Sequence, residues 1–205
     1  MNNNTNINSR IENILFDLEQ QGWSVQEKIF PDELIHELND TLNTFRQQGL
    51  LTQAGIGRKE GFHIEQSIRS DEISWFDESN LNGAQKKYLA MAKQLQDKIN
   101  QHFYLGLFEL EVHFALYSPN SFYKRHLDQH KNQDTRVITL ITYLNENWDK
   151  ADGGELQLYL KNGQTVSVSP NAGTLVCFLS AEFEHEVLPA KRERASLTGW
   201  FRKRN

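Results

Sequence analysis

Phe122-Tyr-Lys-Arg-His126-Leu-Asp128-Gln-His130 decides the reading of this chain, together with His185-Glu-Val-Leu-Pro189 and Arg194 far downstream. In an extended segment successive side chains alternate faces, so His126 and Asp128 point the same way. With His185 supplied by a distant strand, two imidazoles and one carboxylate can occupy three adjacent corners of an octahedron. That donor set suits Fe(II) and leaves three positions open for chemistry. Nine residues after His185, Arg194 adds a fixed cation whose fork geometry grips a carboxylate. The order H-x-D…H…R is thus a hypothesis for both a metal and a dicarboxylate co-substrate.

Each part alone has a plainer reading. An H-x-D pair is common, His185 alone fits a surface histidine, and Arg194 alone fits an ordinary ion pair. His130 shares the face of His126 and Asp128, and a His-Asp-His cluster of that kind would suit a structural Zn²⁺ site. A turn expected over Gln129 to Asp134 would carry His130 away instead.

Around the motif the chain has the character of short strands from Leu107 onward. The segments are Leu107 to Tyr117, Phe122 to Asp128, Arg136 to Leu144, Glu155 to Leu160, Thr165 to Val168, Thr174 to Leu179, Glu184 to Leu188 and Ala195 to Arg202. Ser118-Pro-Asn, Asp152-Gly-Gly, Lys161-Asn-Gly and Pro170-Asn-Ala-Gly supply the turns. Eight short strands without intervening helices predict a double-stranded β-helix, or jelly roll. Upstream, apolar spacing predicts helices over Ser9 to Gln20, from Pro31 to about Gly49, and over Asn82 to Phe103, with a strand over Trp23 to Phe30. Helices gathered at the front and packed on one sheet make an α+β domain. Gly55 to Ser74 is polar and punctuated by Gly55, Gly57 and Gly61, so most of it is expected to be a long loop, of the kind that forms lids. Trp75 and Phe76 would anchor its far end.

Strand parity turns this outline into a pocket. His113, Ala115 and Tyr117 share a face, as do Ile141 and Tyr143, Leu156 and Leu158, His185 and Val187, and Arg194, Ser196, Thr198 and Trp200. If these faces converge, the metal lies at one end, Arg194 at the other, and apolar walls between. Tyr143 and Thr198 would then offer hydroxyls beside Arg194, while Ile141 and Val187 serve equally well as plain core.

Composition bounds the alternatives. The chain of 205 residues suits one domain, expected over 9–205 behind a disordered polar lead-in at 1–8. A balance of 22 basic against 27 acidic residues argues against wrapping duplex nucleic acid. No apolar run approaches the length that spans a bilayer, and the first residues lack the basic and apolar parts of a signal peptide. The single cysteine, Cys177, cannot form an intrachain disulfide, is consistent with a reducing cytoplasm, and reads as core packing.

These residues resemble the 2-oxoglutarate/Fe(II)-dependent prolyl 4-hydroxylases, in particular the hypoxia-inducible-factor prolyl hydroxylases and their bacterial relatives. Beyond H-x-D…H…R, the likeness rests on Tyr143-Leu-Asn-Glu-Asn-Trp148 followed by Gly153-Gly-Glu-Leu156, and on His185-Glu-Val-x-Pro189 and Arg194-x-x-x-Thr198-x-Trp200. Upstream it extends to Ala54-Gly-Ile-Gly-Arg58 and Ile68-Arg-Ser-Asp71-x-Ile73-x-Trp75, with Ser70 standing where relatives often have glycine. It covers residues 20–202. The resemblance implies Fe(II) on His126, Asp128 and His185, with Arg194 pairing the distal carboxylate of 2-oxoglutarate, helped by Tyr143. Tyr117, Ile141, Leu156, Val187, Thr198 and Trp200 would line the co-substrate pocket. Arg69 and Asp71 would form a charge pair shaping the substrate segment, to which Arg58 also belongs. His113 stands where some relatives have an apolar residue. O₂ as oxidant, ascorbate as reductant and a proline-containing protein substrate also follow, with elongation factor Tu the first candidate. Two rivals stand beside this reading. One is an oxygenase acting on free amino acids, small metabolites or alkylated nucleic acid, and the other a jelly-roll binding module without catalysis.

Overall fold

The computed structural model describes residues 2–55, 63–129 and 135–204, with side chains from Ile7 onward. Three helices, α1 (Asn2–Gln21), α2 (Asp32–Gln47) and α3 (Gly83–Phe103), accompany eleven strands among these residues. The strands are β1 (Trp23–Gln26), β2 (Thr52–Gln53), β3 (Glu72–Trp75), β4 (Leu107–Tyr117), β5 (Tyr123–His126), β6 (Arg136–Tyr143), β7 (Leu156–Tyr159), β8 (Thr165–Val168), β9 (Leu175–Leu179), β10 (His185–Val187) and β11 (Arg194–Lys203). They form two antiparallel sheets, ordered β1-β9-β6-β11-β4-β3-β2 and β5-β10-β7-β8. This is the expected α+β jelly roll with its helices on one sheet.

Period-two alternation sorts the large sheet into two faces. Val112, Phe114 and Leu116 of β4, Ile138 and Leu140 of β6, Leu175 and Cys177 of β9, and Leu197 and Phe201 of β11 pack with Ile14, Leu38, Tyr88 and Ile99 of the helices. The intervening residues face the small sheet, where Ala115, Tyr117, Ile141, Tyr143, Val176 and Phe178 meet Leu156, Leu158 and Val187. Cys177 belongs to the helix-side core, and burial pushes its thiol up to about 12, so it packs as an inert thiol.

Local chemistry fixes the helix ends. Asp32 and Glu33 occupy the first turn of α2 behind Pro31. Asn82 caps α3 reciprocally with Gln85, each side chain accepting the other's backbone N–H.

Three expectations need correction. The helix begins at Asn2 rather than Ser9, so the lead-in expected to be disordered is helical from Asn2 onward. Ile7 lies one turn before Ile11 and packs on the same core, which continues the apolar stripe beyond the expected start. The strand from Trp23 stops at Gln26, because pairing with β9 ends at Gln26–Leu175. The described end of the expected loop is more ordered by pairing than its composition predicts: Glu72 to Trp75 pairs with β4, Ser70 N–H bonds Phe122 O at 3.1 Å, and Lys124 N–H bonds Ile68 O at 2.9 Å. Four residues are too few to announce a strand unless a partner edge is known. Ser70 also accepts the Phe122 N–H on its hydroxyl at 3.1 Å, a contact glycine would lack. Arg58, Gly57, Gly61 and His130 lie outside the described residues.

Candidate active site

Antiparallel pairing delivers the first two donors. His185 on β10 stands directly opposite His126 on β5, the pairing that brings side chains across neighbouring strands closest together. β5 ends at His126, two residues short of the expected strand end at Asp128. Asp128 sits two residues past the strand end and still turns inward, 6% exposed. Its Oδ1 lies 3.5 Å from His126 Nε2 and its Oδ2 lies 3.5 Å from His185 Nε2. All three donor atoms fall within 4.8 Å of one another.

The imidazoles are oriented from behind. His126 Nδ1 lies 2.7 Å from Lys124 O, and His185 Nδ1 lies 3.3 Å from Phe183 O. An N–H on each Nδ1 satisfies those carbonyls and leaves each Nε2 lone pair facing Asp128, the tautomer a metal requires. Burial pushes His185 down to about 4 in spite of Asp128, so it is neutral near pH 7. Burial opposes the charge on Asp128, yet His185 and His126 prevail and hold its carboxyl well below the usual carboxylate range. Two imidazole nitrogens and one carboxylate thus face a common point, as a facial metal set needs.

Parity alone offered several further members of the site, but only the fold shows what they touch. Thr139, inward on β6 like Ile141, donates to Asp128 Oδ2 at 2.8 Å and lies 2.9 Å from the Ser180 hydroxyl. Tyr123 stacks on His126 with ring centroids 3.6 Å apart. Both restrain donors that would otherwise swing.

Arg194 is 1% exposed and has no carboxylate partner among the described residues. Its Nε donates to Gly154 O at 2.8 Å, while Nη2 is buried without a hydrogen bond, as is the Tyr143 hydroxyl nearby. Burial pushes the Tyr143 phenol up to about 12 against the pull of Arg194, so it remains a neutral donor. The guanidinium carbon lies 5.1 Å from the Tyr117 ring centroid and 5.0 Å from that of Tyr143. Gly154 makes the approach possible: at φ +74° a Cβ would stand 2.8 Å from Ala190 Cβ and 3.4 Å from Arg194 Cδ. A buried cation with an unused N–H beside an unused hydroxyl is incomplete without an anion.

Both centres open on one cavity of about 600 Å³. Tyr117, Ile141, Val187, Thr198 and Trp200 line it, whereas Tyr143 and Leu156 are fully buried in the wall behind. The donors and the unpaired fork therefore fit a metal with a carboxylate-bearing ligand.

Arg69 and Asp71 form a bidentate pair at 2.8 and 2.6 Å. Asp71 is fully buried, and the Arg69 guanidinium lies 4.3 Å from the Tyr123 ring centroid, so the pair is part of the wall and not a solvated clasp. Burial works against the charge on Arg69, but Asp71 more than offsets it and raises its pKa. Asp71→Ala is expected to strand that cation and cost about 3–5 kcal/mol, lowering the melting temperature by roughly 6–20 °C for a chain of this size. A loss under about 1 kcal/mol in a denaturant titration would mean the pair behaves like a surface one.

Comparison with known proteins agrees with the geometry. Residues 112–202 match the 2OG-Fe(II) oxygenase superfamily. The chain is 42% identical to a Pseudomonas putida prolyl-4-hydroxylase of known structure, covering 95% of this chain and 100% of that one, with a TM-score of 0.87. It is 30% identical over 202 residues to a Caenorhabditis elegans hypoxia-inducible factor prolyl hydroxylase, covering 93% of this chain and 28% of that protein. A Trichoplax adhaerens prolyl hydroxylase, solved with a fragment of its hypoxia-inducible factor, shares the fold at a TM-score of 0.87 and 23% identity, over 97% of this chain and 91% of that one. The chain spans less than two thirds of the length of the curated relatives it matches. With the inward H-x-D…H donors and the buried, anion-seeking arginine on one jelly roll, the chain belongs to the 2-oxoglutarate/Fe(II)-dependent prolyl 4-hydroxylase family.

Proposed function

We propose that the protein is a 2-oxoglutarate- and O₂-dependent Fe(II) dioxygenase that hydroxylates the 4-position of a prolyl residue in a protein substrate. The observation that carries this reading is Arg194, a buried guanidinium with an unused N–H in the cavity that also holds His126, Asp128 and His185. In this reading the three donors hold Fe(II), and Arg194 and Tyr143 bind the distal carboxylate of 2-oxoglutarate. Ile141, Val187 and Thr198 exclude water around the co-substrate, and Tyr117, Leu156 and Trp200 shape its walls. When bound, iron and co-substrate supply the oxidising chemistry that places one oxygen atom on the target carbon. The chain itself orients the donors through Lys124, Phe183 and Thr139 and keeps the cavity dry.

The cavity mouth favours a peptide over a small metabolite. Trp75 and Leu127, 45% and 41% exposed, line the cavity together with Arg69, so apolar side chains that a peptide could cover stand open to solvent. Arg69 and Asp71, with Arg58 in the undescribed stretch, belong to the segment that would receive it. Elongation factor Tu is the first candidate substrate, ascorbate the expected reductant and the cytoplasm the expected location, in keeping with a buried, unpaired Cys177 thiol. No helix among the described residues is long and apolar enough to cross a membrane. The test is to incubate the Fe(II)-loaded protein with 2-oxoglutarate and cell lysate and to search by mass spectrometry for prolines that gain one oxygen atom. Consumption of 2-oxoglutarate with oxygen appearing only on a small metabolite would favour the metabolite oxygenase. No consumption at all would favour a binding module.

A further inference from the structure

Four residues along β4 from Tyr117, His113 faces the same cavity but has no part in the roles above. It is 3% exposed and makes no hydrogen bond among the described residues, and its Nδ1 is buried without a partner. Two indoles hold the ring: Trp75 at 4.5 Å and Trp200 at 5.6 Å between centroids, the latter nearly parallel. Four residues of strand span about 13 Å, so His113 stands well away from the Arg194 end of the cavity. One of its neighbours, Trp75, is half-exposed at the mouth, and the other, Trp200, is buried beside Asp128. His113 therefore lies between the entrance and the metal donors.

An imidazole gains nothing from its polarity in such a slot unless something pairs with it, and an apolar side chain would fill the space at less desolvation cost. Burial pushes the ring down to about 3, with Arg69 and Arg136 acting in the same direction. It is neutral near pH 7, with one nitrogen a donor and the other an acceptor. Proline has no backbone N–H. The peptide unit that joins the target proline to the residue before it therefore carries a carbonyl and no N–H, and only a donor can pair with it.

We propose that His113 is a substrate-recognising residue whose imidazole N–H donates to a backbone carbonyl beside the target proline of the bound peptide. The proposal rests on the prolyl-hydroxylase reading and names one of its specificity contacts. It separates cleanly from a packing role, because the two predict opposite orders for two variants. Methionine fills the slot between the indoles and keeps no N–H donor. Glutamine keeps the donor but packs less well.

The probe is the proline peptide that gains oxygen in the lysate experiment, assayed at saturating Fe(II) and 2-oxoglutarate. His113→Met is expected to raise the peptide KM about tenfold, and His113→Gln to keep it within about threefold of wild type, with kcat moving less in both, as expected for the loss of one hydrogen bond to the substrate. Circular dichroism at the assay temperature establishes that each variant is folded. If His113→Met unfolds, the glutamine variant decides alone: a KM within about threefold supports the contact and a tenfold rise overturns it. A methionine variant that matches wild type while the glutamine variant is worse makes His113 a packing residue and overturns the proposal. A wild-type protein that hydroxylates no proline anywhere in the lysate overturns the prolyl-peptide reading itself, a failure distinct from normal wild-type turnover with indifferent variants.

Discussion

Asp128→Ala is expected to abolish 2-oxoglutarate turnover while leaving the jelly roll folded. Losing a carboxylate that imidazoles contact on both sides would remove one of the three proposed metal donors outright, and the loss should exceed the roughly 10–100-fold typical of changes to groups behind the ligands. The fold should tolerate it because the donor set is an open one of three side chains lining a cavity, and not a closed structural site. The 2.8 Å bond from Thr139 is lost, and Ser180 stands ready at 2.9 Å to receive that hydroxyl. The measurement is threefold: 2-oxoglutarate consumption, metal stoichiometry by calorimetry, and thermal melting. His126→Ala should behave alike. Full turnover in His126→Ala would place the metal on other donors, for example through His130, and would sink the triad.

The second large effect is expected at Arg194. Its replacement by alanine removes the cation that would hold the distal carboxylate, leaving that carboxylate without a charged partner at the Tyr117 end of the cavity. Breaking a buried charge pair from one side costs about 3–5 kcal/mol, so the 2-oxoglutarate concentration needed for half-saturation should rise by roughly two to four powers of ten. Arg194→Lys should recover only part of this, since an ammonium cannot reproduce two parallel N–H bonds. Folding should be affected far less than binding, because the variant loses one bond to Gly154 but also relieves a buried, unpaired guanidinium. Titrating 2-oxoglutarate in both variants checks this. Unchanged affinity in Arg194→Ala would show that another residue grips the carboxylate.

Local alternation carried much of the architecture. In β4, β6 and β11 each side chain alternates between helix-facing core and cavity, so Tyr117, Ile141 and Thr198 could be assigned a common interior from their spacing alone. The pairing of Arg194 with Tyr117, and of Thr198 with Ile141 and His113, then follows from sheet register. Spacing was a weaker guide where few residues carry the signal. β3 is four residues long and is a strand because the edge of β4 was available to it. The first turns of α1 are polar, a composition that predicts disorder, although Ile7 extends the buried stripe of Ile11 and Ile14.

By itself, then, the sequence determined the donor types, their order along the chain and the faces they share, because residue identity and period-two alternation are local properties. Only the tertiary structure decided what stands behind them. Thr139 holds Asp128, Tyr123 stacks on His126, Gly154 lets its carbonyl reach Arg194, and Asp71 is buried against Arg69 and not solvated. The first and third of these contacts join residues from separate strands or loops, and the depth at which the other two lie is set by the segments that fold over them. Whether a charge is shielded by water or fixed by burial depends on which segments fold over it, and no spacing along one segment records that.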